Sequence, residues 1–164
     1  MVDLRNIWLF RMIHIDNIPH ILQNGITHVN SINSNPNYTP IGDNSIITKR
    51  NEFVLENGKR IGDYIPFYFW YRMPMLYVIQ NGFNQVPLTE AKDIVYIVCS
   101  VQSIIENNLN FVFTDGHAVE NFTKQYTSTD INNVLNIVDF TAVKAKYWKE
   151  EYDLDLKRRK ERSF

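Results

Sequence analysis

The side chains best placed to do chemistry in this chain are His14, Arg50, His117 and the rings that precede Arg72. His117 closes the run Phe111-Val112-Phe113-Thr114-Asp115-Gly116-His117-Ala118, where an apolar stretch turns abruptly into an Asp-Gly pair suited to positive φ. A histidine delivered where a scaffold hands over to a loop can exchange protons near neutral pH, and functional groups concentrate at such places. Asp115 reads as the turn residue of that run. His14 lies between Ile13 and Ile15, a setting that by itself reads as a buried structural histidine. Arg50 is a permanent cation whose planar fork can hold phosphate or ribose oxygens two at a time; its plain reading is an exposed arginine in a surface pair. In the block Tyr64-Ile65-Pro66-Phe67-Tyr68-Phe69-Trp70-Tyr71-Arg72-Met73-Pro74-Met75, alternate residues read as core. The other face presents flat rings beside Arg72, the chemistry of stacking unpaired bases under a backbone contact.

Positioning these groups requires short, interleaved elements. Residues 8–15 alternate as a strand; Asp16 or Asn17 then caps a helix with Pro19 in its first turn and Ile18, Ile21 and Leu22 along one side. Gly25 follows the last apolar position, where a left-handed helix end favours glycine. Residues 31–43, rich in Asn, Ser and Pro, form a surface loop too long for an idle connection, which points to contact with a substrate. Residues 46–54 read as a short strand or irregular segment carrying Arg50, and Gly58 marks a turn. Residues 67–71 read as a strand, 75–80 as a short helix, 94–101 as the central strand and 102–107 as a helix. Residues 111–113 read as a further strand, 117–125 as a helix, and 130–135 as a helix started by Thr129 or Asp130. Without regular strand-helix-strand spacing or a glycine-rich phosphate loop, the pattern predicts an α+β fold rather than a doubly wound sheet.

Composition narrows the class. At 164 residues, with 45% hydrophobic and 13% aromatic content, residues 1–164 suit one domain with one core. The apolar runs fall well short of the roughly 20 residues that span a bilayer, and the N-terminus has no basic-then-apolar leader, so a cytoplasmic protein without membrane contact is expected. Cys99 is the only cysteine and reads as a small residue of a buried strand; there is no disulfide framework, no zinc-type cluster and no metal expectation. A net charge of −1 argues against coating nucleic acid through bulk electrostatics. Cations nevertheless gather at Lys144, Lys146, Lys149, Lys157, Arg158, Arg159, Lys160 and Arg162, which from charge alone read as a solvated helix end.

Four motifs in order carry a family resemblance. They are Phe10-Arg11-Met12-Ile13-His14-Ile15-Asp16-Asn17-Ile18-Pro19-His20-Ile21-Leu22-Gln23-Asn24-Gly25-Ile26, then Gly62-Asp63 followed by the aromatic block through Tyr77, then Phe113-Thr114-Asp115-Gly116-His117-Ala118, and Ala145-Lys146-Tyr147-Trp148. Together they resemble the DarT family of DNA ADP-ribosyltransferase toxins, from about Trp8 to Lys157. The resemblance implies the ADP-ribosyltransferase fold, a split mixed β-sheet core with surrounding helices and a cleft for NAD. It implies NAD as co-substrate, contacted by Arg11, Met12, Ile13, His14, Asn17, Gly25 and Arg50, with Arg50 also catalytic and His117 near the acceptor. It further implies single-stranded DNA as acceptor, a base, thymine, as the modified group, and a toxin–antitoxin pair in which a macrodomain antitoxin removes the mark. Tyr71, Arg72 and Met75 are placed nearest the nucleic-acid strand, joined by Lys157, Arg158 and Arg159 of the basic run that precedes the family's catalytic glutamate.

Here the chain departs from the family. It reads Lys160-Glu161-Arg162-Ser163-Phe164, with Ser163 roughly where that glutamate is expected and Glu161 as the one carboxylate close by. A truncated C-terminus is therefore expected, with Glu161 the candidate catalytic carboxylate if an unconstrained chain end folds back into the cleft. Two alternatives stay open: a catalytically impaired fragment that still binds NAD or DNA, and a protein-modifying ADP-ribosyltransferase.

Overall fold

The structure is a computed structural model that describes residues 3–120, 122–147 and 164. Helices and short strands alternate along the chain, as the α+β reading expects. Strands β1 (Trp8–His14) and β2 (Ile94–Ser100) form one two-stranded sheet, and β3 (Phe113–Thr114) pairs antiparallel with β4 (Gln125–Tyr126) in a second. On β1 the period-two pleat sends Leu9 and Ile13 to one face, where both are fully buried. Two compact units divide the chain: one comprises Met1–Arg11, Pro66–Pro74 and Val98–Phe164, the other Met12–Ile65 and Met75–Ile97.

Aromatic packing holds the first unit. Phe10 and Tyr68 exchange both backbone hydrogen bonds at 2.8 Å, and Phe67 and Phe164 do the same at 3.1 and 2.9 Å. The Phe164 ring stacks on Phe111 at 4.6 Å and meets Phe69 edge-on at 5.8 Å. Phe164, part-buried, is thus tied to Phe67 through the backbone and to the buried Phe69 and Phe113 through its ring. Helix α4 (Val101–Glu106) begins at Ser100, whose hydroxyl accepts the Ser103 N–H, and α6 (Phe140–Lys144) begins at Asp139, whose carboxylate accepts the Ala142 N–H. Between β4 and α6 lie a 3-10 turn, Ser128–Asn133, and the short helix α5 (Val134–Ile137).

In the second unit, α1 (Ile18–Asn24) carries Pro19 in its first turn and stops at Gly25, whose φ of 75° suits the glycine predicted there. Helices α2 (Asn44–Glu52) and α3 (Pro74–Asn81) follow, and Ile41, Ile79 and Val86 form an apolar cluster against which Met12, Met75, Val78 and Ile94 pack.

Several local expectations fail for identifiable reasons. Most of the segment over 46–54 is helix: Asn44–Glu52 is helical because Asp43 caps it, which overrides the β-branched Ile46-Ile47-Thr48 run, and only Val54 makes a β-bridge, to Arg60. The described residues of 117–125 form no helix; the Asp115 carboxylate accepts the Lys124 N–H at 2.9 Å, and the chain returns as β4. The aromatic block makes one bridge, at Tyr68, rather than a strand over 67–71. The helix expected over 130–135 starts earlier as the 3-10 turn, with Thr127 as its cap. Leu22 points to solvent, and β2 is only partly covered, Val98 being 47% exposed, so Cys99 is half-buried rather than core. Burial nonetheless pushes the Cys99 thiol up, which favours the thiol over the thiolate.

Candidate active site

Arg50 occupies the last turn of α2, so the position of its guanidinium depends on how that helix starts and how the chain returns to it. At the start, Asp43 Oδ1 accepts the Ser45 hydroxyl at 2.6 Å and the Ser45 N–H at 2.8 Å. The hydroxyl bond is the chief reason that Asp43 sits below the usual carboxylate range, despite its burial. After α2 the chain doubles back through the left-handed Gly58: Leu55 N–H donates to Lys59 O at 2.7 Å and Ile61 N–H to Phe53 O at 3.0 Å. That return brings Tyr64 to Arg50, whose Nη2 donates to the Tyr64 carbonyl at 3.3 Å. A carbonyl on one arm orients a planar fork, which is what bidentate contact with phosphate or ribose oxygens requires.

The end of β1 supplies a second polar group. His14 Nδ1 accepts the Asp16 N–H at 3.2 Å, which puts the neutral ring's proton on Nε2, the donor a ribose hydroxyl would need. The same Nδ1 is 3.3 Å from the Asp16 carboxylate, a contact that becomes an ion pair if the ring is protonated. Asn17 holds the helix-cap position but spends its side chain elsewhere. Fully buried, it donates to Thr39 O at 2.8 Å and accepts Thr39 N–H at 2.9 Å, pairing with the loop as a third strand would. Asn35 Nδ2 adds a longer bond to the same oxygen at 3.4 Å. The Asn-rich loop over 31–43 is thereby tied to the end of β1. Ile13 is fully buried and Met12 packs into the apolar cluster, so Ile13 could meet a ligand only through its backbone. A Cβ at Gly25 would meet nothing within 4 Å; the glycine answers to its backbone angle and not to close approach.

In the first unit, Arg11 Nη1 donates to Pro66 O at 3.1 Å while its Nε is buried with no hydrogen-bond partner among the described residues. The expected alternation of the aromatic block holds in part: Phe67, Phe69 and Met73 are buried, but Tyr71, in phase with them, is exposed, as is Arg72. Tyr71 and Trp70 lie 4.8 Å apart, Phe10 meets Tyr71 at 5.9 Å, and Lys144 Nζ sits 5.3 Å from the Trp70 ring and 5.9 Å from Phe140. Flat rings beside two cations are equipped to stack bases and hold phosphate. His117 is partly buried just past the β3 turn, its carbonyl accepting the Glu120 N–H at 3.0 Å. Thr114 Oγ1 donates to Gly116 O at 2.7 Å and fixes the backbone that leads to it.

Residues 10–164 match the family described as ssDNA thymidine ADP-ribosyltransferase, DarT. The chain belongs to the DarT family. It is 34% identical to a DNA ADP-ribosyl transferase of Escherichia coli O127:H6 over 147 residues, 88% of this chain and 66% of that protein. It is 31% identical to a DNA ADP-ribosyl transferase–DNA ADP-ribosyl glycohydrolase fusion protein of Thermosipho africanus, over 87% of this chain and 35% of the fusion. The chain therefore spans about two thirds or less of these two relatives. In three dimensions it is similar to Thermus sp. 2.9 DarT in complex with ADP-ribosylated ssDNA, with a TM-score of 0.81, 30% identity, and coverage of 96% of this chain and 73% of that one. The same Thermus protein in complex with NAD+ gives a TM-score of 0.75 at 28% identity, over 96% of this chain and 73% of that one.

The DarT fold read from the motifs is therefore confirmed, as a mixed helix and strand structure with small sheets. Met12 and Met75, expected in different roles, pack on one apolar cluster, and Tyr71 joins Trp70 and Phe10. Lys157, Arg158, Arg159 and Glu161 lie outside the described residues. Sequence reading singled out neither Lys144 as a ring-bound cation nor Thr39 and Asn35 as partners of Asn17. Lys144 was visible only as one charge in a C-terminal run, and the Asn17 pairing spans a loop with no periodicity to reveal it. No helix among the described residues is long and apolar enough to cross a membrane, and they hold no group of three or more His, Cys, Asp or Glu placed to bind a metal ion.

Proposed function

We propose that this chain transfers ADP-ribose from NAD to a base, thymine, of single-stranded DNA, as a cytoplasmic toxin countered by a macrodomain antitoxin. The observation that carries this reading is the likeness to a Thermus DarT described both with NAD+ and with ADP-ribosylated ssDNA, over 96% of this chain. The Thermosipho africanus fusion of a DNA ADP-ribosyl transferase with a DNA ADP-ribosyl glycohydrolase supports a partner that reverses the modification.

Arg50, oriented by the Tyr64 carbonyl, fits a phosphate or ribose clamp, and His14 Nε2–H fits a ribose hydroxyl. Arg11, the backbone of residues 12 and 13, Asn17 and Gly25 are the further NAD contacts that the family resemblance assigns. Tyr71, Arg72 and Met75 take the DNA strand together with Lys157, Arg158 and Arg159, and His117 orients the acceptor. In the reaction the bond between nicotinamide and ribose C1′ breaks, the acceptor atom of the base bonds C1′, and its proton passes to a carboxylate. Glu161 is the candidate for that carboxylate, a contribution worth roughly 10²–10⁴-fold.

Labelled NAD offered with a single-stranded oligonucleotide, its duplex and a protein acceptor decides the matter. Label on the single strand, lost in Arg50→Ala and strongly reduced in Glu161→Gln, is expected. NAD binding without transfer points instead to an impaired fragment, and label on protein to a protein-modifying enzyme. By calorimetry, Arg50→Ala should weaken NAD binding by about 1.5–3 kcal/mol, the scale of a charge-assisted hydrogen bond. An unchanged affinity removes Arg50 from the site.

A further inference from the structure

The 3-10 turn Ile61–Asp63 is gripped from three directions, and each grip leads to Arg50. The first is steric. A Cβ at Gly62 would run into Asn51 Oδ1 and lie 3.1 Å from the Asn51 Cα, so only glycine lets the turn sit this close to α2. Gly62 is not among the glycines with positive φ; space, not backbone angle, demands it. Asn51 follows Arg50 on the helix, so a displacement at Asn51 is passed directly to Arg50. The second grip is a hydrogen bond. His28 Nε2 donates to the Gly62 carbonyl at 2.8 Å, and its Nδ1 accepts the Asn30 N–H at 3.2 Å, so one neutral imidazole ties residues 28–30 to the turn. The third is the Arg50 bond to the carbonyl of Tyr64, the residue that ends the turn with its N–H on Ile61 O at 3.1 Å. The turn itself is closed by Arg60 N–H donating to the Asp63 carboxylate at 2.8 Å.

We propose that Gly62 and His28 are positioning residues for Arg50. They fix the distance between α2 and the turn, and so the geometry in which the Tyr64 carbonyl aims the guanidinium. The inference rests on the reading of Arg50 as an NAD contact. Neither residue needs to touch NAD. A shift of a few tenths of an ångström at Asn51 is enough to degrade a bidentate contact, because reacting and clamping groups tolerate little misplacement.

The test is calorimetric titration of NAD into the full chain carrying Gly62→Ala, His28→Leu or His28→Gln, each alone and with Arg50→Ala. Gly62→Ala should weaken binding about tenfold and His28→Leu several-fold. His28→Gln, which retains a donor for the Gly62 carbonyl, should stay near the parent. In the Arg50→Ala background the Gly62 and His28 substitutions should add little, because their effect runs through a group already removed. Parent-like affinity in folded Gly62→Ala and His28→Leu overturns the inference. So does an equal loss in both backgrounds, which would mark a general structural role. His28→Leu leaves the α2 contact untouched and keeps the proposal refutable should Gly62→Ala not fold. If instead Arg50→Ala itself binds NAD like the parent, the reading of Arg50 fails, and that result is separate from the other two.

Discussion

The stretch around Phe69 and the segments around Asn17 and Arg50 are held by different forces. Phe69 is buried among rings, meeting Phe140 at 5.7 Å and Phe164 at 5.8 Å, each edge-on. Asn17 and Arg50 are held by hydrogen bonds from side chain to backbone: Asn17 to both polar groups of Thr39, Arg50 to Tyr64 O. Ring packing is roughly proportional to area and tolerates a change of shape. A side chain that answers a specific carbonyl or amide tolerates almost nothing, because the group it leaves behind must find another partner. The polar segments can therefore hold Arg50 in one orientation, whereas the ring segment is held by packing and leaves Tyr71 exposed.

The comparison breaks first at Phe69 if it is wrong. Phe69→Ala should cost about 3–5 kcal/mol in denaturant unfolding, and Phe69→Leu markedly less, since an apolar side chain still fills most of the site. Equal losses for the two would mean that ring geometry, not area, holds this region. Asn17→Leu is the opposite probe: it keeps the number of side-chain heavy atoms and removes every hydrogen bond to Thr39 and Asn35. It should cost about 1–3 kcal/mol, the range for buried groups left unsatisfied, despite adding apolar surface. A neutral result would show that water serves the Thr39 backbone as well as Asn17 does.

The same contrast explains what could be read from the sequence. The burial of Phe67 and Phe69 was legible because it repeats with the period of an extended chain, although Tyr71 breaks the repeat and the segment makes one bridge and no strand. The strands β1 and β2, the stop at Gly25 and the helix near residues 75–80 were legible on equally local signals. Helix α2 was not. Its Ile46-Ile47-Thr48 run argues for a strand, and only the bond from Asp43 to Ser45, together with the chain doubling back at Gly58, selects the helix. Residues 117–125 misled for a similar reason, since the Asp115–Lys124 bond that reverses the chain joins residues nine apart. The pairing of Phe164 with Phe67 was not legible, because the two are almost a hundred residues apart in sequence. Candidate site residues were named by family resemblance alone, and which of them answer to backbone partners was not legible.

The smallest expected effect concerns the start of α2 and sharpens the comparison through pH. Asp43→Ala removes the acceptor for Ser45 N–H and should cost about 1 kcal/mol, the usual value of an N-cap. Asp43 also titrates, with its folded-state pKa held low chiefly by the Ser45 hydroxyl and further by the Ser45 and Ile46 N–H groups and Lys49. A carboxyl whose pKa is lower folded than unfolded contributes stability that is fully present above the unfolded value and lost as pH falls through the folded one. Asp43→Asn keeps a capping oxygen but cannot titrate. Its deficit relative to the parent should therefore be constant at neutral pH and shrink on acidification below the ordinary aspartate range, as followed by urea unfolding at stepped pH. The deficit of Phe69→Leu should not change over that window, because no proton is linked to ring packing. If the two deficits move together with pH, the acid response belongs to the protein at large, and the hydrogen-bonded segment that carries Arg50 has no pH sensitivity of its own.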